Sequence, residues 1–350
     1  MEHAAVAAGH IAFERRGALG LVTLTRPDAL NALTHDMVLA MTARLNGWAA
    51  DDRVAAVAIR GEGRAFSAGG DIRVIHDRGR AGEPFDRFFA DEYALNILIE
   101  SYPKPYVALV NGVAMGGGVG VAYHASHVVV GERARFAMPE CGIGFFPDVG
   151  GTALLSALGL AGRYLGLTGA RLNAAQQIAL GLADAHASLE RQGSLLDALA
   201  SGASVDEATE RAVTTSGGEA VADDHVFAAF GREDPSAIVA YLGASDVADP
   251  MRGKSPTSLH VASRQLALGS GLTFGQCMGI EARIAHRMLR GHDFYEGIRA
   301  AIIDKGATPA WSPASLDAVS RADVDAYFAP VEDGPLAAIS ALADGVDPRG

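Results

Sequence analysis

The residues best placed to do chemistry lie between Phe136 and Gly151, where Glu140 and Asp148 stand eight positions apart in an otherwise almost wholly apolar run. An acid in apolar surroundings is costly to ionise unless it has partners, and that cost raises its pKa into the range useful for proton transfer. Glu140 also fits a structural salt bridge. Asp148 also fits the N-cap of a helix carrying Leu154, Leu155 and Leu158, a position favouring Asp. A third acid, Glu92, falls on the apolar stripe of a helix predicted over residues 84–100, beside Phe85, Phe88, Leu95 and Ile99. A carboxylate pointing inward from that stripe needs a buried ion partner or a polar cavity.

Two glycine clusters offer a complementary chemistry. In Ala65-Phe-Ser-Ala-Gly-Gly-Asp-Ile72 and Met115-Gly-Gly-Gly-Val-Gly120 the backbone can approach a ligand closely and present N–H groups to it. The second cluster opens a helix, whose first amides have no intrahelical acceptor and favour negative charge. Each cluster alone reads equally as a tight turn or a packing site. Two such turns facing one point would make a two-donor oxyanion hole.

The elements that must position these groups alternate through the first 190 residues. Strands are predicted at 11–14 and 21–25 around the Gly17–Gly20 turn, and a helix after Thr34 carries Met37, Met41, Leu45 and Trp48 at helical spacing. A strand over 54–60 leads into a loop over 61–71. The helix over 84–100 precedes a strand at 106–110, and further strand follows over 128–138. This α/β rhythm puts a ligand at strand-to-helix turns. From about Ala174 the pattern turns helical, with loops at Ser201–Ser204 and Ser216–Gly218, strong helices near 258–268 and 273–289, and a capping-box-like start at Asp293 with Glu296. Pro309 and Pro313 end regular structure before a last short helix.

Composition narrows the classes. The 350 residues suffice for one large domain or a domain plus a helical addition. A net charge of −12 argues against a general nucleic-acid binder, though a polyanionic ligand can be held by a few local cations and helix N-termini. No run reaches the apolar length of a membrane helix, and the first ten residues lack the pattern of a signal peptide, so a soluble protein is expected. Two cysteines without a CxxC pair fit a reducing cytoplasm. The eleven histidines form no ligand pair, so no metal is expected.

Three ordered segments, Arg26-Pro-Asp-Ala-Leu-Asn-Ala-Leu33, Ala65–Ile72 and Lys104–Gly118, closely resemble the enoyl-CoA hydratase/isomerase (crotonase) superfamily over nearly the whole chain. The resemblance implies a ββα spiral core over residues 1–190, a mainly helical region over 191–350, and an acyl-CoA ligand whose thioester oxygen meets the N–H groups of Gly70 and Gly117. Ala68, Gly69, Asp71, Ile72 and Gly116 flank those amides as substrate-lining positions. No cofactor is implied, since coenzyme A is part of the substrate. Relatives often assemble into trimers or their pairs, so the resemblance carries an expectation of a homo-oligomer.

Within the superfamily, Met115–Gly120, Met138–Gly151, Lys254-Ser-Pro-Thr-Ser258 and Arg290–Ala300 look most like hydrolases of short 3-hydroxyacyl-CoA thioesters, which implies 3-hydroxyisobutyryl-CoA as substrate and a place in valine breakdown. Hydratases of the superfamily use two glutamates, one after the second glycine cluster and one matching Glu140; here the first position is Gly120. The hydrolase pattern instead supplies Asp148, to bind the substrate hydroxyl or assist proton transfer, with Glu92 and Glu140 at substrate-contacting positions and Glu140 acting as general base or nucleophile. An enoyl-CoA isomerase or hydratase, and a catalytically silent binding protein, are the rival readings. Many relatives carry a basic residue where this chain has Asp28, so Arg26, Arg64, Arg73 and Lys305 are only candidates for the CoA phosphates.

Overall fold

The computed structural model describes residues 9–83, 85–212 and 219–347. The chain folds as two compact units that interleave along the sequence. The first comprises Met1–Gly70, Leu95–Ala137 and Arg171–Val221; the second comprises Asp71–Ala94, Met138–Ala170 and Ala222–Gly350.

Among its described residues the first unit carries nine strands: β1 (Ile11–Arg16), β2 (Leu19–Leu24), β3 (Ala56–Gly61), β4 (Ala65–Ser67), β5 (Tyr106–Val110), β6 (Val113–Met115), β7 (His127–Val130), β8 (Arg135–Ala137) and β9 (Ala185–His186). They form a six-stranded sheet in the order β1-β2-β3-β5-β7-β9 and a three-stranded sheet in the order β4-β6-β8. Among the pairings of these nine strands with one another, β1–β2 is antiparallel and the rest are parallel. Strands buried on both faces read as continuous apolar runs, and β2 and β5 are buried along their whole length. Each successive pair, β3/β4, β5/β6 and β7/β8, gives one strand to each sheet, which is the expected ββα spiral.

Glycines at the corners allow close approaches within and between the coils. A Cβ on Gly61 would lie 2.8 Å from Phe66 Cα, one on Gly112 2.8 Å from Ala65 Cα, and one on Gly131 2.6 Å from Asn111 Oδ1. Gly112 also has φ +155°, a backbone state that side chains disfavour. The helix His35–Ala49 starts at Thr34, whose hydroxyl accepts the Met37 N–H at 3.3 Å. On the large sheet, Leu195, Leu196 and Leu199 of helix Leu189–Ala200 pack with Leu21, Val107 and Val129.

Three local expectations change. The segment 61–71 is not all loop, because Ala65–Ser67 is β4. The single strand expected over 128–138 is two: a turn in which Ala134 N–H donates to Gly131 O separates β7 from β8 and sends them to different sheets. The apolar residues on both sides of Gly131-Glu132-Arg133 hide that break from a periodicity argument. Finally, the helix His292–Ile298 has Gly291 as its N-cap, not Asp293. The Asp293 carboxylate accepts from Ser255 Oγ at 2.6 Å and Ser312 N at 2.8 Å, while Glu296 pairs with Arg299 at 2.7 Å. The Ser216–Gly218 loop lies outside the described residues.

The second unit is helical. Ser255 caps helix Pro256–Leu268 with Pro at its first position, and Thr273 with Gln276 forms a capping box for helix Phe274–Met288. One core gathers Cys141, Leu167, Phe230, Ile238, Met251 and Leu259. Beside it the buried Arg163 guanidinium donates to Phe230 O and Arg232 O at 2.6 Å each, Ser263 Oγ at 3.0 Å and Ser263 O at 3.2 Å. Burial holds its pKa below the ordinary value without removing the charge. Arg163→Ala would strand all four acceptors, so we expect a loss of about 3 kcal/mol or more in urea unfolding, with Arg163→Lys recovering only part because an ammonium cannot span the same fork.

Candidate active site

In the first unit the Arg26–Leu33 segment clamps the first glycine turn. Leu30 and Asn31 both adopt positive φ, 52° and 55°, a state Asn tolerates better than most residues. The reversal buries the Asn31 side chain completely. Its amide donates to Glu62 O at 2.8 Å and Ala65 O at 2.9 Å, and its Oδ1 accepts the Arg26 N–H at 2.8 Å. Ser67 Oγ donates to Asn31 O and lies 3.3 Å from the Gly69 N–H, and Ala68 N–H reaches Leu30 O at 3.0 Å. Leu33 N–H takes Gly69 O at 2.8 Å, a bond that leaves the Gly70 N–H out.

The second glycine turn lies directly against the first. A Cβ placed on Gly69, whose φ is +102°, would sit 3.1 Å from Met115 O and 3.5 Å from Gly117 N. One on Gly118 would lie 2.8 Å from Ser67 Cβ and would collide with Ser67 O. Gly116 is the N-cap of the short helix Gly117–Gly120, and Val119 N–H closes on Gly116 O at 2.7 Å. Gly117 therefore occupies the first helical position, where an amide lacks an intrahelical acceptor. The structure thus brings Gly69 and the 115–118 turn together, and only glycine fits between them.

The second unit holds the acids. Glu140 begins a 3-10 turn, Glu140–Ile143, and is buried. Asp148 is buried and accepts the Tyr93 hydroxyl at 2.9 Å. Glu92 is buried on helix Asp86–Glu100, and its Oε1 has no hydrogen-bond partner among the described residues. Burial pushes Glu92 up to about 8. Burial, and then the neighbouring charges of Glu92, Glu140 and Glu281, hold Asp148 well above the usual carboxylate range, with the Tyr93 hydrogen bond pulling the other way. The same surroundings raise Tyr93 far above its usual value.

Asp148 does not cap the following helix. The helix Gly151–Ser156 has Gly150 as N-cap with no side-chain cap bond, and Asp148 contributes only its main-chain oxygen, to the Gly151 N–H at 2.7 Å. The Glu281 carboxylate accepts Gly150 N and Thr152 N, each at 2.8 Å. Sequence reasoning missed Tyr93 and Glu281. Glu281 carries the signal that singled out Glu92: an acid between Ile280 and Ile284 on an apolar helix, one turn from Cys277. Tyr93 offers no such signal, since a tyrosine on a buried helix is ordinary.

Of the cations considered for CoA phosphates, Arg64 and Lys305 are exposed. Arg26 donates to Ala32 O at 3.1 Å and Arg73 to Ile302 O at 3.0 Å. Among the described residues there is no group of three or more potential metal-ligating side chains and no helix long and apolar enough to cross a membrane.

An α/β spiral that sets two glycine turns against each other, with buried acids in its helical unit, defines a class. The chain matches the family described as enoyl-CoA hydratase/isomerase over residues 19–328 and belongs to it. It is 38% identical to the 3-hydroxyisobutyryl-CoA hydrolase, mitochondrial, of Danio rerio over 94% of this chain and 92% of that protein. It is 37% identical to the Homo sapiens protein of the same name over 92% and 89%. Among solved structures it is similar to a carnitinyl-CoA dehydratase from Mycobacterium thermoresistibile (38% identity, TM-score 0.85, covering 92% of this chain and 97% of that one). It is also similar to an enoyl-CoA hydratase from Rhodobacter sphaeroides 2.4.1 (37% identity, TM-score 0.82, covering 92% and 98%).

The folded chain holds the Glu92 proton up to about pH 8, while an unfolded glutamate releases it near 4.5. The folded state binds more protons across that interval, so this group's contribution to stability falls as pH rises through it. Glu92→Gln should flatten that fall, which thermal melts of both proteins across the interval would reveal. Asn31→Ala removes the clamp and puts alanine at positive φ; we expect roughly 2 kcal/mol or more of lost stability, read by urea unfolding, with a parallel loss of turnover.

Proposed function

We propose that this chain hydrolyses 3-hydroxyisobutyryl-CoA to 3-hydroxyisobutyrate and coenzyme A, a step of valine breakdown. The observation that carries the reading is the pairing of buried acids at 140 and 148 with a bare glycine at 120. Gly120 is a buried residue of the helix Gly117–Gly120 and offers no side chain, so the two-glutamate acid/base pair of a hydratase cannot assemble there.

In this reading the Gly70 and Gly117 amides hold the thioester oxygen and stabilise the charge that develops on it. One such donor is typically worth about 100- to 1,000-fold in rate. Glu140 either takes a proton from water as it attacks the polarised carbonyl or attacks it with its own oxygen; the thiolate of coenzyme A leaves, and in the second case water then cleaves the mixed anhydride to free the acid and Glu140. Asp148 binds the 3-hydroxyl, and Glu92, neutral below about pH 8, lines the acyl pocket as a hydrogen-bond donor. Ala68, Gly69, Asp71, Ile72 and Gly116 shape the walls around the carbonyl. Two buried free cysteines suit a reducing compartment, and we assign the enzyme to the cytoplasm, whereas the named animal relatives are mitochondrial.

A free-thiol assay on short acyl-CoA esters tests the activity. Glu140→Gln should lower thiol release by about 100- to 10,000-fold while leaving the melting temperature near that of the parent. Near-normal turnover in a folded variant removes Glu140 from this role. Loss of enoyl-CoA absorbance without thiol release would instead make the protein a hydratase.

A further inference from the structure

We propose that Glu281 is a positioning residue for Asp148: it takes over the capping of helix Gly151–Ser156, so that the Asp148 carboxylate faces Tyr93 and the substrate instead of its own backbone. This rests on the reading that Asp148 meets the substrate hydroxyl.

An aspartate just ahead of a helix ordinarily turns its side chain back onto the first free amides. Asp148 precedes such a helix, yet its carboxylate goes to the Tyr93 hydroxyl. Of the two amides an N-capping Asp148 would serve, Gly151 N meets the Asp148 main-chain oxygen at 2.7 Å and Gly150 N is bound by Glu281, whose other oxygen takes Thr152 N, each at 2.8 Å. Between them the backbone takes a turn that would not persist unaided. Val149 has φ 52°, where a β-branched residue is a genuine outlier, and Gly150 follows at φ 85°.

A second tie comes from the preceding helix, where Gln265 Nε2 donates to Pro147 O at 2.7 Å and to Thr152 Oγ1 at 2.6 Å. Pro147, Gly150 and Thr152 are thereby fixed from outside, and Val149 is held in its unfavourable state with the Asp148 side chain free to point elsewhere. Glu281 is fully buried, and the influences on it are burial and the hydrogen bonds of residues 150 and 152, with no cation among them. A buried carboxylate without a counter-ion is a poor way to gain stability. Its position is explained by the two amides it restrains.

The test compares purified wild type, Glu281→Gln, Asp148→Asn and the double variant by thiol release from 3-hydroxyisobutyryl-CoA and from isobutyryl-CoA, which lacks the hydroxyl. A glutamine has one acceptor oxygen, so one amide loses its partner and the turn relaxes. Misplacement of a reacting or orienting group by about 1 Å costs of order 100-fold. We expect Glu281→Gln to lower kcat/KM for the hydroxylated ester by about 10- to 100-fold, to affect isobutyryl-CoA far less, and to add little in the Asp148→Asn background. Equal losses on both esters, or full additivity with Asp148→Asn, overturn the proposal. Should Glu281→Gln not fold, Glu281→Asp, which keeps both oxygens one methylene short, is read by the same comparison. A wild type that releases thiol from neither ester overturns the hydrolase reading itself, and the proposal with it.

Discussion

The second unit is governed by the cost of keeping carboxylates away from water. Glu92, Asp148 and Glu281 are all buried, and desolvation is the leading influence on each. Like charges cannot all ionise cheaply in such surroundings, so the cluster shares protons according to which members have donors. Glu281 has two amides, Asp148 has a phenol, and the outer oxygen Oε1 of Glu92 has none among the described residues. All three are held above the ordinary carboxylate range, Glu92 up to about 8 and Glu281 up to about 7, so the cluster retains protons near neutral pH, and local partners, not residue type, set how far each member is raised.

The first unit is governed by a different constraint, that of packing two glycine turns against each other through their backbones. A peptide amide is available only where no carbonyl claims it, and such a vacancy has to be enforced by everything around it. Asn31 braces one turn through its bonds to the carbonyls of Glu62 and Ala65, and Gly117 opens the other at the first position of the 117–120 helix, where an amide has no intrahelical acceptor.

Much of this was legible in the residues. The glycine clusters, the apolar setting of Glu140 and Asp148, and the inward stripe position of Glu92 are all patterns with a physical meaning before any coordinates exist. The spiral was less so, because periodicity reports whether a strand is buried but not which of two sheets receives it; β7 and β8 were read together for that reason, and the three-residue strands β4 and β6 are too short to show a period. The N-cap reading of Asp148 failed because a local rule was overridden by a residue more than a hundred positions away. Arg26–Leu33 was recognisable as a motif, yet its mechanical task depends on side-chain amide bonds to residues 62 and 65 that no one-dimensional pattern contains.

The corner glycines of the spiral carry a consequence for how such a molecule can diverge. Where Gly112 rests on Arg64 and Ala65 of the preceding coil the contact is bare main chain, so the pitch there is set by peptide dimensions, much as wire gauge sets the spacing of a close-wound spring. The gap between the two glycine turns is set in the same way, by Gly69 against Met115 O and Gly118 against Ser67 O. Mutational drift can rework the aliphatic layers around them while the approach of those two turns stays put.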